Sequence, residues 1–216
     1  AQLDGFYYYP RIDHEFLAAN SEGLICTSGC MAAEIPRAID AGNLEDARKK
    51  LDWYYDVFGP DNFFLELQSH DIPELEQINK ALVELGPRYN ANFVATNDVH
   101  FVNMEDAEAH DHLICLNTGK DLDDPTRMRY TRQEWFKTQA EMKDVFSDLP
   151  EVLNNTIEIA NKVERYELNT NPVMPHFPLP EGFINEDEYL KHLTYEGASK
   201  RYPEINEEIR ERIDFE

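Results

Sequence analysis

FVATNDVHF (residues 93–101) decides how the chain is read. Three of its first four residues are apolar, and the run then gives way to Asn97, Asp98, Val99 and His100. A short apolar run rich in β-branched and aromatic residues and closed by turn formers reads as a buried strand. The polar cluster that closes it admits two readings. In one, Asp98 caps an ordinary turn and His100 packs in a loop. In the other, both are metal ligands at the mouth of a site, since imidazole and carboxylate bind divalent metals. On an extended backbone Asp98 and His100 would point to opposite sides, so the strand must end or bend before both can serve one site.

Two upstream runs resemble it. EGLICTSGC (22–30) reads as a short buried strand ended by Ser28 and Gly29, and NFFLELQ (62–68) as a second strand. Between them, MAAEIPRAIDAG reads as a helix that Gly42 can stop in the left-handed conformation. Asn43 then caps LEDARKKLDWYYDVFG, where Leu44, Ala47, Leu51, Tyr54, Tyr55 and Phe58 share one apolar face. After SHDIP, a helix from about Glu74 to Tyr89 leads to the third strand, ANFVATN (91–97), and EDAEAHDHLICLNTG reads as the next helix. Strands alternating with helices imply a parallel sheet or barrel with covering helices. In such folds ligands gather past the carboxyl ends of the strands. There the first strand delivers Cys30, the second His70, and the third Asp98 and His100. Taken singly, Cys30 reads equally as a small buried residue and His70 as a loop histidine. His110 and His112 form an HxH pair, but helix neighbours two apart do not share a face, so they predict no joint site. Cys26 and Cys115 read as core residues.

Beyond residue 120 the alternation stops. TRQEWF opens with a capping-box pair, Thr131 and Glu134, which predicts a helix start. QAEMKDVFSDLPEVLNNTIEIANKVERYEL reads as two helices parted at Pro150. NTNPVMPHFPLPEG (169–182) holds four prolines and no periodicity, as an extended connector does. Asn185 with Glu188 caps a helix from about Glu186 to Arg201, and EINEEIRERIDFE begins another whose acidic face is solvated. These last segments have little core of their own.

Composition sets the class. The 216 residues, 42% hydrophobic and 12% aromatic, suffice for a packed core. No apolar run approaches a membrane span of about 20 residues, and no signal-peptide pattern opens the chain. Three cysteines with no CxxC spacing read as reduced, and the chain as a cytoplasmic globular domain. A net charge of -23 argues against a strong grip on DNA, which needs clustered Lys and Arg. Tyr7, Tyr8 and Tyr9 read as an edge segment or partner surface. No phosphate-cradling glycine loop, dinucleotide fingerprint or nucleophile elbow is present.

GFYYYPRIDHEFL, SEGLICTSGCMAAEIPRAI, FFLELQSHDIPE and FVATNDVHFVNMEDAEAHDHLICLNTGKDLDDPTRMRY together closely resemble bacterial replicative C-family DNA polymerases. They resemble the polymerase-and-histidinol-phosphatase (PHP) domain of the alpha subunit, and PEVLNNTIEIANKVE and PHFPLPEGFINEDEYLKHLTYEGASKRY extend the likeness over essentially the whole chain. The resemblance implies a distorted β/α barrel whose mouth gathers His, Asp, Glu and Cys around several metals. The fold expected is a partial PHP-type (β/α) barrel with parallel strands, followed by a mainly helical extension. Residues 1–120 would be the later part of the barrel and 121–168 its helical remainder. Residues 169–184 would be the connector and 185–216 helices leading towards the palm.

By motif, Cys30, His70, Asp98 and His100 match the family's later ligand positions. Cys30 and His70 would share one metal, with Asp98 and His100 serving others. The metal implied is Zn, Mn or Fe. The family's opening HxH strand and earlier ligands have no match here, which implies low occupancy. The Mg site of the polymerase palm likewise has no match. The role implied is that of a fragment serving DNA synthesis as a scaffold and partner-docking surface. Its partners would be the remaining polymerase domains and the proofreading exonuclease subunit. The alternatives are a metal-dependent phosphoesterase or 3′–5′ exonuclease activity, or a separate small metallohydrolase. An incomplete barrel would expose a sheet edge and invite self-association.

Overall fold

The computed structural model describes residues 3–167, 169 and 171–216. The expected segments 1–120, 121–168 and 169–184 are therefore followed on their other residues, Ala1, Gln2, Leu168 and Thr170 lying outside the described set. The chain divides into two compact units, Ala1–Glu164 and Arg165–Glu216.

The first unit is built on a three-stranded parallel sheet. Two short strands precede it, β1 (Phe6–Tyr7) and β2 (Tyr9–Pro10), which pair antiparallel around Tyr8 and are exposed throughout. After α1 (His14–Ala19) comes β3, reduced to Cys26–Thr27. The expected strand 22–30 thus contracts to two residues, because Gly23 and Gly29 both take positive φ and break the extended run on either side. α2 (Glu34–Asp40) ends where Gly42 turns left-handed at φ 71°. α3 (Leu44–Phe58) starts under the Asn43 side chain, which accepts from the Asp46 amide at 3.1 Å. Of its expected apolar face, Ala47, Leu51 and Phe58 are buried, whereas Leu44, in the first turn, stays exposed.

β4 (Phe63–Leu67) is the central strand, pairing Cys26 with Phe63 on one side and Leu65 with Phe93 on the other. Phe63, Leu65 and Leu67 meet Ile35 of α2, Leu51 of α3 and Leu82 of α4 (Pro73–Leu85) in the core. Burying a side chain of this size contributes about 1.5–3 kcal/mol, so this layer fixes the strand ends. α4 passes into one 3₁₀ turn at Gly86–Tyr89, shortening the helix expected to Tyr89. A Cβ on Gly86 would lie 2.4 Å from the Phe93 ring, so only hydrogen fits there. β5 (Asn92–Ala95) follows. The order strand, helices, strand, helix, strand with parallel pairing is that of a partial β/α barrel.

α5 (Ala107–Thr118), α6 (Gln139–Val145) and α7 (Glu151–Lys162) complete the unit. Pro150 separates the last two as expected. Asn155 of α7 donates to the Phe93 carbonyl of β5 at 2.7 Å. The helix expected to start at Thr131 does not form. The pair is made, since Thr131 N and Oγ1 both donate to Glu134 Oε1 (3.1 and 2.6 Å), but Arg132 sits at φ 68° and no helical turn follows. A Thr-x-x-Glu capping box that does start a helix is Thr138 with Glu141, ahead of α6.

In the second unit, residues 171–180 carry no regular element. α8 (Glu186–Arg201) begins under Asn185, which accepts from the Glu188 amide at 2.9 Å, and α9 (Glu207–Phe215) follows. Asp214 of α9 takes Tyr195 Oη at 2.9 Å and Lys191 Nζ at 3.0 Å, both from α8. Ala198 is the one buried apolar residue of this unit among the described residues. No described helix is long and apolar enough to cross a membrane.

Candidate functional site

β5 ends at Ala95, and Asp98 then adopts φ 45°, a left-handed conformation that Asp tolerates better than most residues. The chain therefore bends between the strand and His100, as a shared site requires. The bend is held from the far side of the sequence. Asn97, 6% exposed, donates its amide to the Gln133 and Trp135 carbonyls (2.9 and 2.8 Å) and accepts from Lys137 Nζ at 3.0 Å. The His100 amide donates to the Glu134 carbonyl at 2.8 Å, and Phe101 bridges in parallel to Trp135. Lys137 also donates to the Gln133 carbonyl and lies 3.7 Å from the centroid of the Trp135 ring. Residues 130–137 are thus strapped across the end of β5.

Beneath the strap, at the carboxyl ends of the strands, is a cavity of about 280 Å³. Cys30, His70 and Asp98 line it, joined by Tyr130, Thr131 and Glu134. Three of the four sequence-derived candidates therefore meet. His70 is 5% exposed, and its Nε2 lies 3.1 Å from the Asn97 carbonyl. A carbonyl only accepts, so that partner assigns the proton to Nε2 and leaves Nδ1 as the free nitrogen in the neutral ring. Nδ1 is 4.0 Å from Glu134 Oε1.

His100 takes another place. Its Nδ1 is 2.6 Å from the Asp98 carbonyl and its Nε2 3.1 Å from the Tyr130 hydroxyl. Nδ1 then donates and Nε2 accepts from Tyr130, so a metal at His100 must displace one of these bonds. Its ring also neighbours His110, with centroids 5.5 Å apart. His112 turns back to the Glu108 carbonyl at 2.8 Å, so the HxH pair diverges as helical geometry dictates.

Electrostatically the cavity is acidic. Burial pushes the Glu134 carboxyl up, but the Thr131 donors and the nearby His70 outweigh it and hold the group below the usual range. Tyr130 is pushed up by burial and by Asp98, Glu134 and Cys30. Arg129 lines the cavity too, with Nη1 and Nη2 directed to the Pro125 and Asp124 carbonyls (3.4 and 3.2 Å). Beside the strap, Asp111 of α5 receives Arg127 in a two-pronged contact (2.8 and 2.9 Å) and Arg132 at 3.2 Å. The Arg127 hydrogen bonds bring its carboxyl down to about 2. Away from the site, burial pushes the Cys26 thiol up to about 11, which suits the core role expected of it.

Glu134 and Tyr130 are the members that motif reading missed. Glu134 was visible as half of a capping pair, and nothing local signals that its carboxylate turns inward. Among the described residues, no three His, Cys, Asp or Glu side chains stand close enough to clasp one ion without moving. The N, O and S donors present are nonetheless those that bind zinc, manganese or iron. One buried oxygen, Glu134 Oε2, has no hydrogen-bond partner among the described residues, as an atom awaiting a cation would.

Residues 1–70 match the family model of the PHP domain. The chain is 42% identical over 216 residues to the DNA polymerase III subunit alpha of Borreliella burgdorferi, covering 99% of this chain and 19% of that protein. It is 36% identical to the Treponema pallidum subunit, covering 100% of this chain and 18% of that protein. For the Thermus aquaticus subunit the values are 41% identity, 94% and 17%. The chain thus spans about a fifth of the length of the curated relatives it matches.

Proposed function

We propose, from the premise that this chain belongs to the DNA polymerase III alpha-subunit family and carries part of its PHP domain, that it serves DNA replication as a scaffold and docking segment with a remnant metal site. The observation that supports this best is the meeting of Cys30, His70 and Asp98 in one cavity, inside a sequence that follows polymerase subunits along its length. Cys30, His70, Asp98 and His100 are the residues that would hold a divalent Zn, Mn or Fe ion. When bound, such an ion would supply Lewis-acid chemistry and lower the pKa of a bound water. His70 is preset by Asn97, and His100 by Tyr130, so the chain's own contribution is to orient nitrogen donors at the strand ends. Occupancy is expected to be low.

The docking role fits the surface. Tyr7, Tyr8 and Tyr9 are all more than half exposed, and β3 pairs with β4 alone among the described residues. Such an edge suits attachment of other polymerase domains or the proofreading exonuclease subunit, or self-association of the chain. In this reading the nucleotidyltransferase chemistry, with its Mg, belongs to other parts of a cytoplasmic replicase. Primer extension by the purified chain is expected to give no incorporation above background, and incorporation would overturn the scaffold reading. Hydrolysis of single-stranded 3′ ends that needs Mn²⁺ and is lost in His70→Gln would replace it with the exonuclease alternative.

A further inference from the structure

Glu134 is the group in the cavity whose placement most needs an explanation. Its side chain is 3% exposed. Oε1 is satisfied by the two Thr131 donors, while Oε2 is shut from solvent without a partner among the described residues. A buried carboxylate oxygen left unpaired is strongly unfavourable. Arg129, the one permanently charged cation among the described residues that line the cavity, is directed to backbone carbonyls instead. The free nitrogen of His70, Nδ1, lies 4.0 Å from Oε1, the oxygen that Thr131 already holds. That distance is too long for a hydrogen bond.

We infer that Glu134 is a further metal ligand of this cavity, offering its unpaired Oε2 to a divalent cation of the zinc or manganese class, with His70, Asp98 and Cys30 on the same walls as the donors that would move in to share it. The inference rests on the reading of the cavity as a metal site. It adds a ligand from TRQEWF, a segment outside the three strand ends.

The test is a titration of the chain with Mn²⁺ and with Zn²⁺, read by calorimetry and by the metal-induced rise in Tm. Wild type is compared with Glu134→Gln, Glu134→Asp, His70→Gln and Asp98→Asn. Glu134→Gln keeps an oxygen for Thr131 and removes the charge. It is expected to bind about tenfold more weakly or worse, to lose the metal-induced rise, and to show a metal-free Tm equal to or above wild type. Glu134→Asp should recover part of the affinity. If Glu134→Gln binds like wild type while His70→Gln and Asp98→Asn do not, the cavity remains a metal site and Glu134 is no ligand. A lower metal-free Tm with unchanged affinity would assign Glu134 a purely structural role and overturn the inference. Failure of wild type to take up either metal would overturn both Glu134 as ligand and the cavity as a metal site.

Discussion

Two Thr-x-x-Glu segments lie seven residues apart, Thr131–Glu134 and Thr138–Glu141, and they meet different fates. Each threonine hydroxyl donates to its glutamate, at 2.6 and 2.8 Å. Behind Thr138 a helix follows, and the glutamate also accepts from the Thr138 amide at the exposed start of α6. Behind Thr131 the chain flips at Arg132, bridges to Phe101 and carries Glu134 into the interior. The same threonine-to-glutamate bonds therefore sit at a helix start in one place and beside the strand-end cavity in the other. The threonine oxygen accepts from the Glu141 amide in the first and from the Gln133 amide in the second. At the segment behind Thr131, Asn97 also claims the Gln133 and Trp135 carbonyls, which a helix would otherwise use.

The sharpest way to break this contrast is Asn97→Ala. It removes three hydrogen bonds from a buried position. With groups left unpaired at roughly 1–3 kcal/mol each, a loss of about 3 kcal/mol in urea unfolding is expected, with faster hydrogen exchange at the His100 amide and α6 unchanged. Thr138→Ala acts on the other side of the comparison. It should cost about 1 kcal/mol and loosen exchange only along α6, whereas Thr131→Ala should leave α6 protected. A pH-dependent effect is expected at Asp111, whose ion pairs hold Arg127 and Arg132 at the flank of the strap. Its folded-state value of about 2 lies below the ordinary 3.8. A carboxyl lowered in this way stabilises the fold above the ordinary value, and the contribution fades as pH falls from there through about 2. Urea midpoints measured across that window should decline more steeply for wild type than for Asp111→Asn.

The contrast also marks what could be read from residues alone. The apolar runs of β4 and β5, the Asn43 and Asn185 caps and the break at Pro150 each depend on bonds within a few residues, and each was legible. The convergence of Cys30, His70 and Asp98 followed from one topological rule, that parallel strands release their side chains at the same end. The inward turn of Glu134 was not legible, because it depends on Asn97, more than thirty residues away, with no periodic trace of the pairing. His100 stands outside the cavity lining for a related reason. Its partner Tyr130 lies on the same strap, and the hydroxyl occupies the nitrogen a metal would use. β3 shrank to two residues because the glycines at 23 and 29 read as punctuation at one end but act at both.

Gly86 carries a consequence for how movement would spread through the first unit. The space where its side chain would be belongs to the Phe93 ring, and the Phe93 carbonyl is held by Asn155 of α7. A methyl group at Gly86 would push on that ring, and the strand beneath it is tied to a helix on a different element of the barrel. The end of α4 thus works as a fulcrum: a displacement of a few tenths of an ångström there would arrive at α7 as a tug on its only side-chain anchor to β5 among the described bonds.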